Sequence, residues 1–314
     1  MMKKEEGGEK GGRKVLGGEG GRCWSREEWE RDRGTGINLI VSDVPGDLNL
    51  QLPITGLGKH LIEQTQRRFT GCAIQRNSGF SRSLLLSMST LSFLRNKYWV
   101  LRHGKSIPNE RGLIVSSVEK GVLEEYGLAQ EGVGQAQLAG ELLLKELQLT
   151  NTPLDAVRIC YSPFSRTTQT AKTVANELNL PFESPQCKVI ENLRERYFGP
   201  TFELLSHEKY SDIWALDEKD PFLPPDGGES VANVVSRLAA ALESLEAEFD
   251  GCTILIVSHG DPLQILQTIL HAANQLENAC SKDLQTRIRE VTNHSILSQH
   301  RKFALLTGEL REIK

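Results

Sequence analysis

The stretch Tyr98-Trp99-Val100-Leu101-Arg102-His103-Gly104-Lys105-Ser106 decides how the rest of the chain is read. Its first four residues are apolar and mostly of types that suit a pleated, buried strand. The run stops abruptly at Arg102-His103-Gly104. In an open α/β sheet, ligands sit beyond the carboxyl ends of the strands. A neutral imidazole at such a point keeps a lone pair near pH 7 and can attack phosphorus. The guanidinium beside it is a planar fork of donors matched to two phosphoryl oxygens. The glycine after it lets the backbone pass close to an anion with no Cβ in the way. Alone, Arg-His-Gly is a weak motif, and the surrounding chain has to give it weight.

Outward from this strand, helical and strand patterns alternate. Ile107 to Gln130 reads as a loop, after which Ala136, Ala139, Leu143 and Leu147 share one helical face. Ala156 to Tyr161 is a strand stopped by Ser162-Pro163. A helix from about Arg166 to Asn179 carries Thr167, Ala171, Val174 and Leu178 on one stripe and ends at Pro181. A short strand, Lys188 to Ile190, leads into Glu191-Asn192-Leu193-Arg194-Glu195-Arg196. Residues 197 to 228 have little periodicity but hold Tyr197, Phe198, Phe202, Tyr210 and Trp214, which either line a pocket or pack this segment on the sheet. Val231, Val234, Leu238, Leu242, Leu245 and Phe249 form an amphipathic helix with Glu229 near its positive end. Thr253 to Val257 is a fully apolar strand closed by Ser258-His259-Gly260. This alternation predicts an α/β fold, a three-layer α/β/α sandwich with a mostly parallel central sheet covered on both faces. Ile296-Leu297 and Phe303 to Leu306 are read as C-terminal strands.

The chain has 314 residues, 39% of them apolar and 25% charged, with a formal net charge of -4. That is globular composition with enough material for a large core, and the charge gives no reason to expect nucleic acid. No apolar run reaches the roughly 18 residues of a membrane span. Cys23, Cys72, Cys160, Cys187, Cys252 and Cys280 are scattered without a C-x-x-C pair, which argues against a zinc site or disulfide framework and fits reduced thiols in an intracellular protein.

The N-terminal region reads differently. Residues 1 to about 35 are rich in Gly, Glu, Lys and Arg with few apolar residues, a composition unable to offset its ordering entropy. Residues 1–95 are therefore expected to be a low-complexity, mostly disordered extension, and 96–314 the catalytic domain. From Gln64 to Asn109 there is no Asp or Glu, while arginines recur among serines, as in organellar transit peptides. The expected location is the cytoplasm, or a plastid or mitochondrion if this region is a transit peptide. A third reading makes the region an upstream extension with Met88 as the true start.

Four strand ends now point at one edge. His103 and His259 each close a strand and precede a glycine. Arg166 begins the helix after the 156–161 strand, where free N–H groups and the helix dipole favour anions. Glu195 follows the next strand, with Glu191 as its rival for the role of acid. One nucleophile, two guanidinium forks, a second imidazole and one carboxylic acid make a phosphoryl-transfer set that needs no metal and no cofactor.

Here the chain resembles the histidine phosphatase superfamily, also called the phosphoglycerate mutase-like family. Leu101-Arg102-His103-Gly104 resembles its defining motif, and Ser162-Pro163-Phe164-Ser165-Arg166-Thr167-Thr168-Gln169-Thr170-Ala171 its second-arginine motif. Leu193 to Gly199 resembles the acid loop, Gly227-Gly228-Glu229-Ser230 the helix start, and Ser258-His259-Gly260 the second-histidine motif. The likeness runs from about Tyr98 to Ala273. It implies that His103 attacks phosphorus and carries a phosphohistidine, that Arg102, Arg166 and His259 clamp the phosphoryl oxygens, and that Glu195 is the general acid. Asn109 matches a further phosphate-contacting position, and Gly104 and Arg196 complete the implied substrate-binding set.

Two departures bear on substrate. Lys105 stands where the family usually has an acid, and Pro108 where mutases often have an aromatic. Lys105 with Arg111 and Arg196 either welcomes a second anionic group or is solvated surface charge. His60, His207, His271, His294 and His300 lack strand-end context and are read as surface or capping histidines. The expected function is a metal-independent phosphomonoesterase, a histidine acid-type phosphatase acting on a small phosphorylated metabolite. The alternatives are a cofactor-dependent phosphoglycerate mutase and an inactive phosphate-binding or interaction module. Mutases of this family carry a long insertion between the acid loop and the Gly-Gly-Glu-Ser helix. The short interval here admits water and favours hydrolysis. The only partner expected is the small substrate, with no nucleic acid and no membrane; self-association into a homodimer is left open.

Overall fold

A computed structural model describes residues 93–276 and 283–314. The chain divides into two units, Met1–Arg82 and Ser83–Lys314. The N-terminal extension through residue 92, with its targeting reading, Met88, His60, Cys23 and Cys72, lies outside the described residues, as does Cys280.

The chain enters on β1 (Lys97–Arg102), followed by the short helices α1 (Ile107–Arg111) and α2 (Val118–Gly121). Then come α3 (Gln130–Leu149), β2 (Val157–Tyr161), α4 (Ser165–Glu177) and β3 (Cys187–Val189). Next are α5 (Tyr210–Lys219), α6 (Val231–Glu248), β4 (Thr253–Ser258) and α7 (Gly260–Asn274). The chain closes with α8 (Leu284–Val291), α9 (His294–Leu297) and β5 (Leu310–Glu312).

The sheet order is β3-β2-β4-β1-β5. β4 lies between β1 and β2 and is parallel to both, β3 is parallel to β2, and only β5 runs antiparallel, against β1. Side chains alternate across the sheet because successive Cβ atoms point to opposite faces. Tyr98, Val100, Ile254 and Ile256 therefore pack with α6, α7 and α8 in one core. Trp99, Leu101, Leu255 and Val257 pack with α3 and α4 in another. The face each helix takes follows from chain direction. The path β1 to β2 to β3 moves one way along the sheet and the return to β4 moves the other, so right-handed crossovers put their helices on opposite faces. The result is the expected α/β/α sandwich with a mostly parallel sheet.

Two segments differ from the sequence reading. The expected loop over 107–130 contains α1 and α2, each started by a serine cap: Ser106 accepts from Asn109 N and Ser117 from Lys120 N. The C-terminal apolar runs are not strands. Ile296 and Leu297 lie in α9, whose Asn293 cap fixes a helical turn, and Phe303 ends a 3-10 turn begun by His300. The actual strand, Leu-Arg-Glu in β5, is half-buried at the sheet edge and so needs no apolar run.

Close packing of glycines brings α3 onto the end of β1. A Cβ on Gly132 would lie 2.1 Å from the Lys105 carbonyl oxygen, and one on Gly104 2.2 Å from that of Gly132. Gly134, two residues on, has open space around it. Gly132→Ala is thus expected to destabilise the protein by about 1–3 kcal/mol through overpacking. Gly134→Ala should stabilise it by roughly 0.5–1 kcal/mol through helix propensity. Urea denaturation of the two variants reads both signs; a neutral Gly132→Ala would contradict the packing.

Candidate active site

The β1–β4 register sets Arg102 opposite Ser258, and the next amide, from His103, donates to the Ser258 carbonyl at 3.0 Å. His103 and His259 therefore leave adjacent strand ends side by side, with ring centroids 5.2 Å apart. His103 Nδ1 lies 2.7 Å from the carbonyl oxygen of Gly104. A carbonyl only accepts, so Nδ1 holds the ring proton. Arg166 Nε donates to His103 Nε2 at 3.1 Å, and that nitrogen carries the lone pair. Burial, then the guanidiniums of Arg166 and Arg102, push the His103 pKa well below the ordinary imidazole value. The ring is a neutral base with its lone pair aimed among cations.

Those cations are incompletely partnered. Arg166, in the first turn of α4, gives Nη2 to the Val115 carbonyl at 3.0 Å and lies over the Phe164 ring. Its buried Nη1 has no partner. Arg102 gives Nη1 to the Leu305 carbonyl at 2.6 Å, while its buried Nε has none. His259 Nε2 lies 2.8 Å from Ser162 Oγ, and its buried Nδ1 has no partner. Burial and Arg166 push the His259 pKa well below its ordinary value. A buried donor left unmade costs on the order of 1–3 kcal/mol, and native proteins keep few of them. Two guanidinium nitrogens and one imidazole nitrogen left unmatched near the His103 ring are an arrangement suited to a tetrahedral oxyanion.

Glu195 lies beside His259 and Arg166. Its Oε2 is 3.7 Å from His259 Nδ1 and 3.9 Å from Arg166 Nη2, and its Oε1 accepts from the Arg196 amide at 2.9 Å. Burial raises its pKa, Arg166 pulls it down, Asp261 raises it, and the balance is pushed up to about 7. The carboxyl can thus hold its proton near neutrality. Its rival Glu191 is exposed, at the start of a 3-10 turn that precedes Glu195.

The residues expected to contact substrate make the following contacts within the protein. Arg196 is wholly buried and directed inward, with Nη1 and Nη2 each 2.7 Å from Asp217. Gly104 donates its amide to Thr170 Oγ1 at 3.1 Å, and its lack of a Cβ makes room for Gly132 rather than for an anion. Lys105 is paired with Glu131 at 2.6 Å, which raises its pKa and occupies its charge. Asn109 Oδ1 accepts from the Ser106 amide and hydroxyl, closing the cap of α1. His300 is fully buried 3.7 Å from Asp217, not on the surface. His207 is half-buried, with Nε2 2.8 Å from the Leu113 carbonyl, while His271 and His294 are exposed as expected.

Much of the aromatic segment is packing, while Tyr210 also lies within electrostatic reach of Glu195 and Arg166. Phe198 joins Ile114 and Ile213 in a small third core with Phe202 and Tyr210 against it, and Trp214 stacks on Tyr210. Sequence reasoning missed Glu203, whose carboxylate accepts from the amides and hydroxyls of Ser116 and Ser117. It thereby fixes the segment that carries the Val115 carbonyl to Arg166. Nothing in the aperiodic stretch around Glu203 and Asp217 signals their roles. Asp261 had a signal, since it stands two residues after His259 at a helix start.

A buried neutral imidazole, unmatched guanidinium nitrogens and a carboxyl of raised pKa thus stand together at parallel strand ends. The family model described as the histidine phosphatase superfamily (branch 1) matches residues 98–301, and the chain belongs to that superfamily. An adenosylcobalamin/alpha-ribazole phosphatase of Salmonella typhimurium is 27% identical over 178 residues, 54% of this chain and 77% of that protein. A fructose-2,6-bisphosphatase of Saccharomyces cerevisiae is 29% identical over 165 residues, 51% of this chain but only 31% of that protein. A solved mycobacterial glucosyl-3-phosphoglycerate phosphatase is similar at 26% identity and a TM-score of 0.43, covering 55% of this chain and 78% of its own.

The raised Glu195 pKa links the site to stability. The unfolded carboxyl ionises near 4.5 and the folded one near 7, so the native state holds the extra proton between these values. Stability from this group is full below about pH 4.5 and is lost as pH rises toward 7. Glu195→Gln is therefore expected to be more stable than the parent at pH 8, by roughly 3 kcal/mol at 1.36 kcal/mol per unit. The gain should vanish at pH 4. Denaturation at both pH values checks this, and an equal difference at the two would contradict it.

Proposed function

We propose that the chain is a phosphomonoesterase working through a phosphohistidine on His103, with no metal. The observation that carries this reading is the pair of partnerless buried guanidinium nitrogens, Arg102 Nε and Arg166 Nη1, with His259 Nδ1 also unpartnered, near the neutral imidazole of His103. In the first step His103 Nε2 forms a bond to phosphorus as the ester P–O bond breaks. The proton of Glu195 goes to the leaving oxygen, which would otherwise depart as a poorly stabilised alkoxide. In the second, the Glu195 carboxylate takes a proton from water, the water oxygen attacks phosphorus, and the P–N bond returns its pair to Nε2. Phosphate leaves and Glu195 is protonated again. The two guanidinium cations, with the neutral ring of His259 beside them, meet the charge on the equatorial oxygens throughout, the work a metal would do elsewhere.

Hydrolysis is favoured over mutase chemistry by the state of the neighbouring cations. A mutase must also grip the carboxylate of a phosphoglycerate, and Lys105 and Arg196 are each already occupied by acidic side chains. The phosphatase names of the relatives point the same way. Retention of nucleophile, clamp and acid together weighs against an inactive module. The reading extends to a small phosphorylated metabolite as substrate.

Purified full-length protein should hydrolyse p-nitrophenyl phosphate in EDTA. His103→Ala should leave less than roughly a thousandth of that rate, and Arg166→Ala should lose about 10²–10³-fold. Because Glu195 must be protonated to act, kcat/KM for an alkyl phosphate should fall above about pH 7. Glu195→Gln should lack that alkaline limb. Activity that survives in His103→Ala, or that needs added metal, would contradict the proposal.

A further inference from the structure

Directly beneath the acid loop lies an ion-pair cluster that the chemistry above does not use. Arg196 places Nη1 and Nη2 2.7 Å from the two oxygens of Asp217, a bidentate fork. Nη1 also lies 3.2 Å from Asp261 Oδ2, and Nε donates to the Glu229 carbonyl at 2.9 Å. The guanidinium is thus tied to α5 through Asp217, to the first turn of α7 through Asp261, and to the residue before the cap of α6 through Glu229. Asp261 is fixed in turn by Gln264 Nε2 at 2.6 Å. Asp217, Asp261 and His300 bring three potential metal-ligand atoms within 4.8 Å, but the cation between these carboxylates is the guanidinium itself.

A buried ion pair is weak evidence for stability, because desolvation opposes the attraction. What it does supply is geometry. The Arg196 amide holds Glu195 Oε1 at 2.9 Å, so a residue immobilised at its far end also orients the acid at its near end. We propose that Arg196, gripped by Asp217 and Asp261, is a positioning residue that aims the Glu195 carboxyl at the leaving oxygen and couples it to α5 and α7. This rests on the reading of Glu195 as the acid. Two carboxylates against one guanidinium also leave negative charge beside Glu195. The groups acting on Glu195 are Arg102 from β1, Arg166 from α4, Tyr210 from α5, Arg237 from α6, and His259 and Asp261 at the start of α7.

The test compares two esters, since a good leaving group needs little help from an acid and an alkoxide needs much. kcat and KM for p-nitrophenyl phosphate and glycerol 2-phosphate are measured on the full chain, Glu195→Gln, Arg196→Lys and Asp261→Asn. Lysine keeps the charge but cannot make the fork. Arg196→Lys should lose roughly 10²-fold in kcat on the alkyl ester, as for a misplaced group. It should lose less than about tenfold on the aryl ester, with KM little changed. Equal losses on both esters, or a rise in KM alone, while Glu195→Gln keeps its split, overturns the positioning role. A Glu195→Gln variant that treats the esters alike overturns the acid assignment beneath it. Asp261→Asn keeps the Asp217 fork, so it serves if Arg196→Lys fails to fold. It loosens one of the two grips on the guanidinium, so it should also lose more in kcat on the alkyl ester than on the aryl one, and equal losses overturn the proposal.

Discussion

The proton on Nδ1 of His103 is the constraint from which the site follows. The Gly104 carbonyl, 2.7 Å away, accepts it, and so the lone pair must lie on Nε2, where Arg166 meets it. That carbonyl is itself immobilised. The Gly104 amide is bonded to Thr170 on α4, and the Gly104–Gly132 contact seats α3 against it. Without those two glycines the helices could not approach the strand end closely enough to hold one tautomer. A sheet of parallel strands then supplies the rest, because β1, β4 and β2 all finish at the same edge.

Around this ring the molecule keeps two kinds of arginine. Arg196 and Arg237 are matched by carboxylates and carbonyls: Asp217, Asp261 and the Glu229 carbonyl for one, Glu229 and the Asn192 carbonyl for the other. Arg102 and Arg166 find carbonyls for part of their donors and leave a buried nitrogen unmatched. The first kind fixes backbone; the second, on the reading proposed above, is left for the phosphoryl group. His300 and His259 each keep one buried ring nitrogen without a hydrogen-bond partner, His300 Nε2 3.7 Å from Asp217 and His259 Nδ1 3.7 Å from Glu195.

Much of this was readable before any coordinates. Strand-length apolar runs that end in His-Gly placed His103 and His259 at one edge, because a parallel sheet allows no other arrangement of such ends. The helix start after Ser162-Pro163 placed Arg166 there too. What could not be read was which basic residues stay free. Lys105 and Arg196 look alike to a sequence argument, and only tertiary contacts reveal Glu131 and Asp217 opposite them. Asp217 lies in α5, within the stretch that carried little periodicity, and comes to Arg196 from the far side of a loop. The last strand escaped notice for a different reason: an edge strand of three half-buried residues carries no apolar signature.

Trapping the phosphorylated enzyme during turnover of an aryl phosphate and mapping the attached group by ³¹P NMR and peptide mass spectrometry tests the account most directly. It predicts a phosphoramidate on Nε2 of His103. Phosphate on Nδ1 of that ring, on another residue, or on none would contradict it.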